Sequence, residues 1–312
     1  MSAKDLQVFE NARPRLGALA YRLLGTAAEA EDAVQEAYLR WDAAERPVIE
    51  NPPAWLTRVL TNLCLTQLDS ARARREASVG QWLPEPLLDG DPLLGPAETV
   101  AQRDAVSFAM LGLLEILPPR ERAVFVLREA FSHSHAEIAE ILGTSESGSQ
   151  QALARARRHL SEGRRRRAVD PVTSQAVARA FLDAAVGGDI ERLLAVLAED
   201  ATSRADGGGT FPAARRPLRG GQAVATYLRG IFRRTPAMSR LVAGPVEIHA
   251  ADVNRAPALL VAERGRLLGV ITLELEGERV RHVRIQLDPA KLARISADWA
   301  ERGTSEPLAR LW

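Results

Sequence analysis

The sequence predicts a multidomain chain in which two all-α domains, a helical bundle and a helix-turn-helix, precede an α+β domain. Three observations lead there. Apolar residues recur at helical spacing over the first half of the chain. Gly143-Thr144 then divides two short amphipathic patterns, and Gly supplies the permissive backbone of a tight turn. Beyond Asp170-Pro171, helical patterns give way to runs with strand alternation, an order typical of an α+β domain.

At 312 residues, two or three domains are expected. Hydrophobic content of 46% and charged content of 26% suit a globular protein. Net charge is only +1, so any affinity for nucleic acid must come from local patches. Lys4 and Lys291 are the only lysines, and the remaining basic residues are arginines. The single cysteine, Cys64, cannot form an internal disulfide, which fits a reducing cytosol. No apolar run reaches ~18 residues and no signal-peptide core opens the chain, so a cytoplasmic location and no membrane contact are expected.

Residues 1–78 read as the first domain. A helix over 5–24, interrupted near Pro14, precedes one over 28–43 that buries Ala30, Val34, Ala37 and Trp41 and shows Asp32, Gln35 and Glu36. Pro52-Pro53 opens a long helix with Leu56, Leu60 and Cys64 on its apolar side and Arg58, Asn62, Arg72, Arg74 and Arg75 on its polar side. Residues 79–104 read as a linker, because 81–96 holds four prolines and two glycines. Within it, WLPEP is too apolar for a solvated tether, and a Trp82 anchor buried on another surface explains it.

The second domain, 105–165, contains a helix ending at Leu117 and then the patterns 135–142 and 146–160, with Ser145 as the N-cap of the latter. A helix, a tight Gly turn and a helix with a polar leading end form a helix-turn-helix pattern. Gln150, Gln151 and Arg155 are placed to reach base edges and Arg157 to reach phosphate. On pattern alone, an ordinary helical hairpin with a solvated arginine face fits equally. The run 164–167 is a solvated linker or a source of salt-sensitive affinity. The third domain, 170–295, reads as helices over 176–185, 190–198 and 222–232, then antiparallel strands over 246–249, 258–262, 267–276 and 279–287. A tail, 296–312, either docks through Trp299, Leu308, Leu311 and Trp312 or stays loose.

LPPRERAVFVLRE, EIAEILGTSE and RARRHL resemble region 4 of bacterial RNA polymerase sigma factors of the extracytoplasmic-function type. AEAEDAVQEAYLRW and PPAWLTRVLTNLCLTQLDSARARRE resemble region 2 of the same family. The resemblance implies −35 readout by Gln150, Gln151 and Arg155, with Arg157 on phosphate. It implies a −10 pocket at Asn62 with Arg58 and Arg72 on the strand. It also implies that Asp32, Gln35 and Glu36 contact the core polymerase (beta and beta-prime subunits). WLPEP resembles a signature of one subgroup, in which a SnoaL-like cone domain follows region 4. Asp206-Gly207-Gly208-Gly209 and LDPAKL, with Asp288, Pro289 and Lys291, resemble two further elements of it; Thr210 and Ala290 depart from the usual residues.

The resemblance therefore implies a sigma factor whose third domain regulates it through Trp82, Leu83, Pro84 and those two elements, in place of a separate anti-sigma factor. A small molecule or protein could bind that domain; no cofactor or metal is implied. Two other readings remain: a cyclase or isomerase using Asp183, Asp206, Tyr227, His249 or His282, and an operator-binding repressor. The five histidines lack metal-ligand spacing.

Overall fold

A computed structural model describes residues 3–45, 48–76, 80–95, 106–161, 171–233, 242–303 and 306–311. The chain forms two compact units. Unit 1 comprises Met1–Ser78 with Gly90–Arg164, and unit 2 comprises Val79–Asp89 with Arg165–Trp312. The two helical domains expected to stand apart thus share one unit, and the expected linker is divided between the units.

In unit 1, α1 (Ala3–Leu24), α2 (Ala27–Ala43) and α3 (Pro52–Glu76) pack as a bundle. Trp41 is buried against Trp55, with ring centroids 5.7 Å apart, and donates its indole N–H to the Asp5 carbonyl. Pro14 does not interrupt α1, contrary to expectation. It lies on the solvent side, while Phe9, Leu16 and Leu19 are buried on the other face, so tertiary packing outweighs one missing N–H. A short 3-10 turn, Pro92–Leu94, lays Leu93 and Leu94 on α1.

The helices α4 (Phe108–Leu114), α5 (Pro119–Glu129), α6 (His135–Leu142) and α7 (Glu146–Ser161) complete unit 1. A capping box opens α6: Ser134 Oγ accepts from the Glu137 N–H, and the Glu137 carboxylate accepts from the Ser134 N–H. Gly143 closes it at φ 61°, a left-handed cap.

The two helical parts are clasped together by arginines. Arg122 on α5 is buried and donates to the Leu23 carbonyl of α1 at 2.8 Å and to Glu115 Oε1 at 2.5 Å. Arg22 donates to the Ala18 and Leu94 carbonyls, and its guanidinium lies 5.2 Å from the Phe131 ring centroid. Arg15 covers the same ring at 5.2 Å and lies 3.3 Å from His133 Nε2. Helices α5 and α6 also pack against α3.

Unit 2 is the expected α+β cone. Helices α8 (Pro171–Gly187), α9 (Ile190–Val196) and α10 (Gly221–Phe232) back a sheet of β1 (Leu197–Asp206), β2 (Leu218–Arg219), β3 (Val246–Val253), β4 (Ala256–Glu263), β5 (Arg266–Glu276), β6 (Arg279–Gln286) and β7 (Ala309–Leu311). The strand order is β2-β1-β6-β5-β4-β3-β7. The sheet is mixed rather than antiparallel throughout, because β1 pairs parallel to β6. The register shifts within the β4–β5 ladder between Val261 and Ala262 and within the β5–β6 ladder between Glu274 and Leu275.

A core of Phe181, Leu228, Ile248 and Val283 fills the side facing the helices. A second core, with Leu88, Leu260, Val270, Ile295 and Trp299, lies under α11 (Pro289–Arg302). The helix expected to run to Ala198 ends at Val196, because pairing with β6 draws the following residues into β1. The expected tail is half helix: Trp299 is buried on α11 and Leu311 pairs with Val246, while Trp312 lies outside the described residues.

Burial, and then the charge of Arg15, hold the His133 imidazole below its usual pKa, while Glu137 opposes the shift. Once released from α1, His133 regains about 6.5 and binds a proton that the clasped state refuses. The clasp is therefore intact above that value and weakens as pH falls through it toward the depressed one. Small-angle scattering on the full chain should show expansion between about pH 7.5 and about pH 5.5, and His133→Gln should flatten that response.

Candidate functional site

The polar leading end of α7 is held by Ser145, whose Oγ accepts from the Gly148 N–H at 3.0 Å. Gln150, Gln151, Arg155 and Arg157 are exposed on this helix, opposite buried Ala152, Leu153, Ala156 and Leu160. Ser149, which directly precedes them, is buried and bonds His135 Nδ1 at 2.9 Å, so it tethers α7 to α6.

Two carboxylates that the sequence did not single out orient the arginines. Glu121, itself buried, accepts from Arg155 Nε at 2.8 Å and lies 3.1 Å from His159 Nδ1. Glu129 accepts from Arg157 Nη2 at 2.6 Å. An exposed pair such as Arg157–Glu129 contributes only ~0.2–1 kcal/mol. The run 164–167 lies outside the described residues.

On α3, Arg58 and Asn62 are exposed one turn apart, above a buried side of Leu56, Leu60, Cys64 and Leu68. Burial pushes the Cys64 thiol up, leaving it an inert core residue. Arg72 falls on the last turns of α3, and its side chain lies outside the described residues. On α2, Asp32 and Gln35 are exposed and Glu36 pairs with Arg40 at 3.0 Å. Leu39, 52% exposed, extends this row at helical spacing. An uncovered leucine on an otherwise acidic face was the available signal.

The three short elements of unit 2 meet at one buried carboxylate. Asp206, at the end of β1, accepts through Oδ2 from the Leu83 N–H at 2.9 Å and from Lys291 Nζ at 2.7 Å. Its Oδ1 accepts from the Gly208 N–H at 3.0 Å. Lys291 Nζ also reaches the Leu83 carbonyl at 2.7 Å and lies 4.5 Å from the centroid of the Trp82 ring. Asp288 caps α11 by accepting from the Ala290 N–H, with Pro289 in the first helical turn.

Glycine is required here. A Cβ on Gly207 would sit 2.2 Å from the Phe211 carbonyl oxygen, and one on Gly208, whose φ is +58°, 2.3 Å from the Asp288 carboxyl carbon. Gly209 also has a left-handed φ, of +73°, but open space around it. Trp82 is only half-buried; Leu83, Pro84 and Leu87 are the deeper anchors.

Gln286 completes this knot. Its Nε2 donates to the Pro84 carbonyl at 3.0 Å, and its Oε1 accepts from the Asp288 N–H at 3.0 Å. It alternates along β6 with Val283 and Ile285, on the face opposite theirs, yet it is fully buried. The sole signal was an uncharged amide among arginines. Beyond the knot, Asn254 exchanges hydrogen bonds with Leu87, and Leu88 bridges Val253. Residues 81–89 thus form a strap bonded along unit 2.

The cone holds an apolar cavity lined by Ile231, Val261, Leu268, Ile271, Leu287 and neighbouring residues. None of Asp183, Asp206, Tyr227, His249 and His282 lines it. Asp183 pairs with Arg179 on the surface, His249 packs on Trp299 in the second core, and His282 bonds Thr202. Among the described residues, no His, Cys, Asp and Glu group could hold a metal ion, and no helix is long and apolar enough to cross a membrane.

Residues 8–74 match the model of Sigma-70 region 2, and residues 107–160 that of Sigma-70, region 4. The chain is 39% identical over 235 residues to the ECF RNA polymerase sigma factor SigJ of Mycobacterium tuberculosis, spanning 74% of each protein. To the probable ECF RNA polymerase sigma factor SigI of the same species it is 33% identical over 286 residues, 90% of this chain and 92% of that one. The crystal structure of M. tuberculosis SigJ matches at a TM-score of 0.71 and 32% identity, covering 92% of this chain and 98% of that chain. The chain therefore belongs to the extracytoplasmic-function family of RNA polymerase sigma factors.

Proposed function

We propose that this chain carries core RNA polymerase to promoters bearing −35 and −10 elements, and that unit 2 regulates this in place of a separate anti-sigma factor. Asp32, Gln35 and Glu36, with Leu39, contact the beta and beta-prime subunits. Arg58, Asn62 and Arg72 hold the melted −10 strand, while Gln150, Gln151, Arg155 and Arg157 engage the −35 element. Melting needs a pocket for an unstacked base and cations along the strand, and α3 offers both residue types.

One observation carries the regulatory half: the two DNA-facing modules are clasped into a single compact unit. The elements they would read lie about 25 base pairs apart, roughly 80 Å along B-DNA at ~3.4 Å per pair. A compact unit of about 150 residues has a radius of gyration near 15 Å and cannot reach both. Promoter engagement therefore requires the clasp around Arg122, Arg22 and Phe131 to open. The chain that enters unit 1 at Leu93 and Leu94 leaves the strap of unit 2 only a few residues earlier, so strap and clasp share one stretch of backbone. Anything that stabilises the strap in one state biases the closed–open equilibrium by its differential affinity.

Run-off transcription with purified core polymerase tests the first half. The full chain should support specific initiation. Gln151→Ala and Arg155→Ala should each lower output from a −35-dependent promoter about 5- to 150-fold, the equivalent of ~1–3 kcal/mol. Failure of the purified chain to join core enzyme would sink the proposal.

Variants of the knot test the second half. Asp206→Ala leaves Lys291 buried without its carboxylate and should destabilise unit 2 by about 3–5 kcal/mol in chemical denaturation. Gly208→Ala forces a left-handed φ on a residue with a side chain, a cost of ~1–3 kcal/mol before the clash with Asp288 is added. Trp82→Ala should loosen packing and change promoter output. Wild-type compactness together with wild-type output would remove the regulatory reading.

A further inference from the structure

We propose that the cone of unit 2 is a receptor for a small uncharged apolar molecule, and that its occupancy is transmitted to the strap over residues 82–88. This rests on the reading above that unit 2 regulates the factor, and adds the class of effector and its route.

The cavity measures about 80 Å³. That is several times the space one water needs, but a water also needs polar partners. Its side chains come from α10 (Ile231, Phe232), β4 (Val261), β5 (Leu268, Ile271) and β7 (Leu311), and no charged or hydrogen-bonding side chain is among its lining residues. A charged guest would be stripped of water with nothing to pair it. A proton-transfer reaction would lack both base and acid. What fits is a single ring or a short branched hydrocarbon, bound and released unchanged.

Two walls of the cavity join the knot through backbone. Leu287 lines it, and its N–H donates to the Asp206 carbonyl at 2.7 Å. Its neighbour Gln286 holds the Pro84 carbonyl. Phe211 also lines it, and its N–H donates to the Gly207 carbonyl at 2.9 Å. Gly269 lets the end of β6 approach: a Cβ there would meet Leu287 Cδ2 at 2.8 Å. Asp206 and Gly207, to which both walls are tied, belong to the element that accepts from Leu83 and Lys291. A guest that displaces Leu287 or Phe211 moves the backbone that carries those acceptors, since a close-packed interior transmits small displacements.

Toluene is a suitable probe, with benzoate as its charged counterpart. Titrated into the full chain and followed by methyl NMR and calorimetry, toluene should occupy one saturable site and raise the melting midpoint of unit 2, while benzoate should not. Leu268→Trp should fill the cavity and abolish the effect; should that variant fail to fold, Ile231→Phe on α10 serves instead. Amide hydrogen exchange over residues 82–88 should change at least ~threefold on binding in the wild type and stay constant in the filled variant. Absence of a saturable site, equal binding of benzoate, binding that survives filling, or unchanged exchange in the strap would each overturn the proposal. If toluene fails while Trp82→Ala still alters promoter output, the effector site falls and the regulatory strap stands. If toluene binds as described while Trp82→Ala leaves output and compactness unchanged, the receptor stands and the regulatory reading falls.

Discussion

A single carboxylate organises unit 2. Asp206 is 4% exposed, and a carboxylate so placed must be neutralised and bonded to remain charged. Lys291 neutralises it, and the N–H groups of Leu83 and Gly208 occupy its remaining acceptor sites. Each partner comes from a different part of the chain: the strap, the glycine turn and α11. Remove the charge and three elements lose their common acceptor. This explains why a proline-rich segment far from residue 170 in sequence belongs to the α+β unit at all.

Unit 1 is governed by an analogous constraint of opposite sign. Arg122 is a buried cation, and its Nη1 is held where Glu115 and the end of α1 converge. The Leu23 carbonyl sits at a helix C-terminus, where the dipole favours positive charge. Arg15 and Arg22 add cation–π contacts to Phe131, which ties the loop before α6 to the first bundle. Such a clasp is specific without being deep. It holds the two helical modules together through a few polar groups.

Much of this was legible in one dimension. The helix-turn-helix could be read from Gly143, Ser145 and the apolar positions around them, because caps and turns are local. The same holds for the α3 face, where Arg58 and Asn62 stand one turn apart. Helix α11 carried a readable signal too: Asp288-Pro289 begins it, and Leu292, Ile295 and Trp299 recur at helical spacing. Strand β1 carried almost none, since LAEDATSRAD favours no strand by propensity and is extended only because β6 lies beside it.

By itself, then, the sequence determined the helical periodicities, the turn chemistry, the exposed polar faces and the motifs that mark the family, all of which depend on residues within a few positions of one another. Tertiary structure alone decided that the two helical modules close into one unit, that Ser149 and Gln286 face inward, that Glu121 and Glu129 hold the arginines of α7, and that the strap leaves the linker for Asp206. Those outcomes turn on which distant group desolvates a charge and which supplies its partner. No local pattern encodes that choice, because the cost of burying a polar group is fixed only once its surroundings exist.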